Sequence, residues 1–192
     1  MQSEYLEPRL FKKVCAAMPK TASLAIRLGL ETGMRVGDVL ALTPDRLGRD
    51  SVSFTAQKTG KSAVAKISPR LARDLRENAR DGWVFPGKKP GTHMTRQAVY
   101  QAVKRACAML DIDGQISPHS ARKTFAVTER KAHGLSAVKK ALQHDSVETT
   151  KIYAYSDLVE LDGVLCEVRA IHADVRRVYE MCRLILNMLE RI

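Results

Sequence analysis

Apolar and polar residues follow a helical period along the first part of the chain. Apolar side chains recur three and four positions apart over residues 6–18 and 21–32, which predicts two helices, with Gly33 as a stop for the second. A short third helix over residues 36–42 is ended by Pro44, because the residue before a proline is disfavoured in helical conformation. The chain therefore opens with three closely spaced helices.

The period changes to about two between residues 46 and 67. Val52 and Phe54 alternate with serines, and Gly60 supplies a turn between two such runs. This alternation is typical of strands with one buried face, joined by tight turns. We therefore predict a small three-stranded antiparallel sheet with Lys58 at a hairpin tip.

Helical patterning then returns for most of the remaining chain. Ser68-Pro69, Thr95 and Ser117-Pro118 are helix-opening residues, because their side chains can cap free backbone N–H groups or their fixed φ suits the first turn. The predicted helices run over residues 68–80, 95–110 and 117–132, the last ended by Gly134, and then over 136–143 and 147–155. The fold class that follows is α+β, mostly helical with one small sheet.

The last part of the chain, residues 157–192, has a sustained apolar stripe. Its apolar residues alternate at spacings of three and four, a pattern of heptad type: Val168, Ile171, Val175, Val178, Cys182, Ile185, Leu189 and Ile192. Such a helix can pack on its own domain or on a neighbouring protomer, and both alternatives stay open. We predict one domain over residues 1–156 and a helical tail over 157–192.

Composition places the chain among globular proteins without a membrane span. Of its 192 residues 45% are apolar, and no apolar run approaches the roughly 18–20 residues that cross a bilayer. The first residues lack the layout of a secretory signal, so a soluble, cytoplasmic protein is expected. The four cysteines form no C-x-x-C pair and the histidines no ligand spacing, so neither a metal nor a cofactor is expected.

Net charge indicates a polyanionic partner. Lys and Arg outnumber Asp and Glu by 32 to 21, which gives +11. A cytoplasmic protein this basic usually binds nucleic acid, although a ribosome-associated or merely soluble basic protein is an alternative. Aromatic residues are only 5% of the chain, so contact with duplex phosphates fits better than base stacking.

Five short motifs carry the candidate chemistry, and each is unremarkable alone. They are, in order, ETGMRVGDVLAL with Arg35, AQKTGK with Lys58, SPHSARKTFA with His119 and Arg122, ALQHDS with His144, and TTKIYAYSD with Tyr153. His119 and Arg122 lie three residues apart at a helix start, hence on one face beside unpaired N–H groups, which suits a phosphate.

This ordered set resembles the catalytic domain of the tyrosine recombinase (phage integrase) family. The resemblance covers roughly residues 28–157 and includes the T-G-x-R-x-x-[DE]-x-x-x-L block, the hairpin lysine, a VFP stretch and the P-H-x-x-R helix. It implies the tyrosine-recombinase catalytic fold and site-specific DNA recombination or integration. DNA strands would be cleaved and rejoined through a 3′-phosphotyrosyl intermediate. A bacterial, archaeal or phage source, a mobile element among them, is expected by analogy.

The chemistry of these residue types suits that reaction. Two guanidiniums, Arg35 and Arg122, can hold the non-bridging phosphate oxygens in a fixed geometry while charge develops. A phenol has a pKa near 10, so Tyr153 needs neighbouring cations or a base, and His119 is placed to assist. The resemblance implies that Lys58 is the general acid for the 5′-oxygen and that His144 donates to the phosphate.

Two departures from the family pattern and two other functions remain open. Asp38 stands where relatives often have glutamate, and it can orient Arg35 or a neighbouring group. Tyr155 is a second candidate nucleophile, although spacing from His144 favours Tyr153. A type IB topoisomerase-like enzyme is the main alternative, disfavoured by histidine rather than lysine at position 119. A non-catalytic DNA-binding protein is the other.

The resemblance also predicts partners. Double-stranded DNA is the main one, bound in part by residues of the helix after Thr95 and one residue beside Arg122: Arg96, Gln97, Lys104, Arg105 and Lys123. A homotetramer on DNA, accessory DNA-bending proteins and a location on the nucleoid are further expectations. Few residues precede Arg35, so the clamp domain of other members does not fit before it, and the chain is expected to be either an excised catalytic domain or a naturally minimal enzyme. Without a clamp, DNA binding is expected to be weak and salt-sensitive.

Overall fold

The computed structural model describes residues 3–142 as a helical domain with one hairpin. Its helices are α1 (Pro8–Ala16), α2 (Lys20–Thr32), α3 (Val36–Leu40), α4 (Pro69–Asn78), α5 (Arg96–Met109) and α6 (Pro118–Leu142), and its strands are β1 (Ser51–Thr55) and β2 (Ser62–Lys66). Two helix starts carry the predicted caps, since Ser68 Oγ accepts from Leu71 N at 3.3 Å and Thr95 Oγ1 from Ala98 N at 3.1 Å.

Helix α2 lies at the centre of the domain. It contacts α1, α3, α4, α5, α6 and β2. Leu24, Ile26 and Leu28 of α2 are almost completely buried. Because other elements cover α2 on several sides, its apolar residues occupy more than a narrow stripe. Cys15 and Cys107 are free thiols buried in the same core.

The prediction of a three-stranded sheet is wrong for the described part of the chain. β1 and β2 form a two-stranded antiparallel sheet in which Val52 pairs with Ala65. The segment before β1 instead forms a short 3₁₀ helix over Pro44–Arg46, and Leu47 makes only an isolated bridge to Val52. Gly48 N donates to Ser51 O at 2.9 Å, so a tight turn takes up the residues that a third strand would need.

Helix α6 begins and breaks where the sequence predicted. It starts at Pro118, and Gly134 interrupts it with φ 80° and ψ 177°, a backbone conformation that is essentially restricted to glycine. Helical structure resumes beyond the break as far as Leu142. The helix predicted over 147–155 and the tail over 157–192 lie outside the described residues.

The first residues of the chain are bound to the start of α6. Glu4 N donates to Gln115 O at 3.1 Å, and the buried hydroxyl of Thr124 donates to Leu6 O at 2.7 Å. These bonds fix the start of the chain against the helix that carries His119. Within residues 3–142, none of the helices has the length and hydropathy needed to cross a bilayer.

Candidate active site

Arg35 lies at the sharp junction between α2 and α3. Gly33 ends α2 in the left-handed conformation, with φ 67°, and Arg35 is the N-cap of α3 with extended backbone. The buried hydroxyl of Thr32 stabilises the turn, because it donates to Leu28 O at 2.6 Å and accepts from Met34 N at 3.3 Å. The junction therefore presents a half-buried Arg35 side chain at a helix N-terminus.

Arg122 lies one turn into α6 and is 5% exposed. Its Nη1 donates to the carbonyl of Gly33, and its Nη2 donates to the carbonyl of Leu142 at 3.1 Å. The guanidinium thus joins the end of α2 to the last described turn of α6. A narrow cavity of about 10 Å³ is lined by Arg35, Asp38 and Arg122 together, so the structure brings these three predicted residues to one place.

His119 lies at the start of α6, close to both arginines. Burial, followed by the charges of Arg122, Lys123 and Arg35, holds the pKa of His119 below its ordinary value of about 6.5. The ring is therefore neutral at neutral pH and can accept a proton. The surrounding protein desolvates the ring only in part, and the residue keeps enough exposure for a proton donor to reach it.

Lys58 lies at the tip of the β1–β2 hairpin, as predicted. Its side chain is exposed, and Ala56 at the base of the turn is buried and accepts from Gly60 N at 2.8 Å. Asp38 Oδ1 accepts from Gln57 N at 3.0 Å, so α3 holds the backbone beside Lys58. From the sequence, Asp38 was expected to orient either Arg35 or a neighbouring group. In the structure it binds a neighbouring group, the backbone amide of Gln57 in the hairpin.

A groove of about 380 Å³ lies between the N-terminal part of α5 and the start of α6. Arg96, Gln97 and Lys104, three of the predicted DNA-binding residues, line it together with His119. Arg105 is also exposed on α5, but the described lining of the groove does not include it.

Lys123 differs from the other predicted DNA-binding residues. It is half-buried, and its ammonium donates to the carbonyl of Ser3. The lysine thus contributes to holding the start of the chain against α6. Its charge still acts on the neighbouring His119.

The chain around the groove is basic, and residues 82–110 contain no Asp or Glu. Within them, the loop before α5 presents Lys88 and Lys89, both exposed. Trp83 fixes this loop, because its indole N–H donates to Gly91 O at 3.0 Å and its ring packs edge-on against His93. A basic stretch of chain without acidic residues is favourable for contact with a duplex backbone.

Three predicted residues, His144, Tyr153 and Tyr155, lie outside the described residues. Gln57, in contrast, was not singled out from the sequence, although it precedes Lys58 and contacts two helices. Among residues 3–142, no group of His, Cys, Asp or Glu side chains is arranged to hold a metal ion.

Comparison with known proteins identifies the family. The family model described as "Phage integrase family" matches residues 5–158, most of the chain. The chain belongs to the phage integrase family. Among curated members, it is 31% identical to the tyrosine recombinase XerD of Ralstonia nicotianae over 144 residues, which are 68% of this chain and 46% of that protein. It is 30% identical to XerD of Pseudomonas putida over 137 residues, 64% of this chain and 45% of that protein.

Solved structures of phage integrase relatives share the fold. The catalytic domain of bacteriophage HP1 integrase is 25% identical, with a TM-score of 0.61, over 80% of this chain and 88% of that one. XerH recombinase in a post-cleavage complex with palindromic difH is 20% identical, with a TM-score of 0.70, over 86% of this chain and 53% of that one. This chain spans about half the length of the curated family members it matches.

Proposed function

We propose that this chain is the catalytic part of a site-specific recombinase or integrase that cleaves and rejoins DNA strands. The observation that carries the proposal is the convergence of Arg35, His119 and Arg122 where α2, α3 and α6 meet. The Lys58 hairpin is tied to that same α3 through Asp38. The named family members are recombinases and integrases, which supports the same chemistry.

Cleavage in this proposal is a transesterification at phosphorus. The phenol oxygen of Tyr153 bonds to the scissile phosphorus while the bond from phosphorus to the 5′-oxygen breaks. His119, neutral at neutral pH, takes the phenol proton, and Lys58 gives a proton to the leaving oxygen. The products are a 3′-phosphotyrosyl link and a free 5′-hydroxyl. Because the phosphodiester is retained as an ester, a second 5′-hydroxyl can attack and reseal the strand.

The two arginines stabilise the charge that develops on the non-bridging oxygens, with His144 as a further donor. Arg122 is fixed by backbone carbonyls from two elements, so its guanidinium plane is set before substrate arrives. Preorganised donors of this kind are usually the largest catalytic contribution, and one lost donor costs about 10²–10³ in rate. A lysine at position 122 would keep the charge but lose the planar fork.

Duplex DNA is the proposed substrate, bound across the groove beside α5. Structures of XerH bound to difH and of lambda integrase bound to a COC′ core site are among the fold relatives. In this chain the basic, acid-free stretch around α5 would contact phosphates, with Arg96 and Gln97 near base edges.

The assembly belongs to the same proposal. Residues 1–156 would form the catalytic domain, and the tail over 157–192 would pack on a neighbouring protomer within a homotetramer on DNA. The heptad-type stripe of the tail supports this, because a continuous apolar face needs a partner surface. Accessory DNA-bending proteins and a place on the bacterial nucleoid complete the proposed setting.

The experiment that tests the function is trapping of the covalent adduct. The chain would be incubated, with EDTA present, with nicked duplexes tiled across the DNA that flanks its gene, and then run on denaturing gels. We expect an adduct that is lost in Tyr153→Phe and kept in Tyr155→Phe. Loss only in Tyr155→Phe would move the nucleophile, and no adduct on any duplex would overturn the proposed cleavage. Relaxation of supercoils without strand exchange would favour the topoisomerase alternative.

A further inference from the structure

The guanidinium of Arg96 lies over Gly37 at the side of the Lys58 hairpin. A Cβ atom added at Gly37 would meet Arg96 Nη2, and it would lie 2.9 Å from both Cζ and Nε. The same Nη2 donates to Gln57 Oε1 at 3.4 Å. The side chain of Arg96 therefore rests against α3 and the hairpin, and the absence of a side chain at position 37 provides the space.

Gln57 is consequently held from two sides. Its backbone N–H donates to Asp38 on α3, and its side-chain oxygen accepts from Arg96 on α5. The next residue is Lys58, so any shift of Gln57 is passed directly to the proposed general acid. Protonation of a leaving oxygen needs contact within about 2.6–3.2 Å, so a small shift of the hairpin changes the rate.

We propose that Arg96 and Gln57 are positioning residues for Lys58. The missing side chain at Gly37 leaves the space in which Arg96 can contact Gln57. The proposal rests on the proposed strand cleavage with Lys58 as the general acid. It links the DNA-facing helix α5 to proton transfer at the leaving group. Arg96 thus acts on the rate through the hairpin, in addition to any contact it makes with DNA.

Gly37→Ala tests this without replacing a catalytic or DNA-binding side chain, although it displaces the guanidinium of Arg96. The added methyl group meets the far end of a flexible arginine, so Arg96 must move while the helix is retained. Alanine also favours a helix over glycine, so the fold should not be weakened. The matched control is Gly29→Ala in α2, where the new Cβ would meet Ala121 Cβ at an ordinary 3.5 Å.

The assay compares two nicked duplexes that carry either oxygen or sulfur at the 5′-bridging position of the scissile phosphate. A thiolate leaves without a proton, because a thiol has a pKa near 8.5, far below that of an alcohol. On the oxygen substrate, Gly37→Ala should form adduct roughly threefold to tenfold more slowly than the unaltered chain, the scale of one weak hydrogen bond. On the sulfur substrate the two rates should agree, and Gly29→Ala should match the unaltered chain on both.

A second variant removes the acceptor itself. Gln57→Leu should show the same pattern as Gly37→Ala, with circular dichroism melts and duplex affinity near those of the unaltered chain. Equal slowing on both substrates, or no slowing on the oxygen substrate, would overturn the positioning role. If the unaltered chain forms no adduct on either substrate, the proposed cleavage fails first, so the two failures are distinguishable.

Discussion

Replacing Gly33 with alanine should destabilise the domain through two separable effects. Gly33 has φ 67°, in the left-handed region where a Cβ atom crowds the following carbonyl. A Cβ atom there would also overlap the ring of Phe125 and lie 2.6 Å from Leu142 Cδ2. Both neighbours belong to α6, which packs directly on α2.

The magnitude follows from these two effects. The left-handed conformation costs a residue with a side chain about 1–2 kcal/mol. Forcing an extra carbon into a packed core costs about 1–3 kcal/mol more. The free energy of unfolding should therefore fall by roughly 2–5 kcal/mol, a large share of the about 5–15 kcal/mol of a typical domain. Cleavage should fall as well, because the Gly33 carbonyl accepts from Arg122.

Gly60 offers a matched control. It has the same φ of 67°, yet a Cβ atom there would meet no atom within 4 Å, so Gly60→Ala reports the backbone effect alone. Equilibrium urea unfolding, followed by circular dichroism and by the fluorescence of Trp83, the single tryptophan, measures both variants. We expect Gly60→Ala to lose about 1–2 kcal/mol and Gly33→Ala at least 1 kcal/mol more. Equal losses would refute the packing argument.

Three further predictions concern acidity, salt and the start of the chain. The lowered pKa of His119 means that the cleavage rate should fall with an acid midpoint below about 6.5, and an NMR titration of the ring that gave a higher value would contradict this. Because the folded protein binds this proton less readily than the unfolded chain does, the free energy of unfolding should also decrease as the pH falls from about 6.5, the ordinary histidine pKa, through the lower pKa of folded His119. Lys88→Ala with Lys89→Ala should reduce the salt slope of duplex binding by up to about 2, whereas an unchanged slope would place both lysines off the DNA. Thr124→Val should lower the free energy of unfolding in urea by about 1–2 kcal/mol, because the buried carbonyl of Leu6 loses its donor. Thr128 is exposed, so Thr128→Val should leave the free energy of unfolding almost unchanged.

Local sequence signals predicted the helices well because their causes are local. A capping hydroxyl acts two or three residues away, as Ser68 and Thr95 do, and a left-handed glycine ends a helix through its own φ. The ordered motifs likewise located Arg35, His119 and Arg122, which the fold brings together. The position of each residue within its element was therefore available before any tertiary contact was known.

Contacts between residues far apart in the sequence could not be predicted from these local signals. The two-residue alternation before β1 resembled a third strand, but a turn at Gly48 and a 3₁₀ helix took its place. The partner of Asp38 depends on how α3 packs against a hairpin 19 residues away. The contact of Arg96 with Gln57 joins residues 39 positions apart, and no local pattern records a pairing over that distance.

The α2–α3 junction places three residues of the first motif in separate contacts with the candidate site. Gly33 supplies the carbonyl that orients Arg122, and two residues later Arg35 projects from the start of α3. Asp38, in the same short helix, holds the hairpin of Lys58. A displacement of this junction would therefore move together the two guanidiniums proposed to bind the phosphate and the hairpin that carries Lys58, the proposed proton donor. Substitutions that shift the junction should thus lower cleavage more than they lower DNA binding, because the proposed DNA contacts are spread along α5 and its preceding loop.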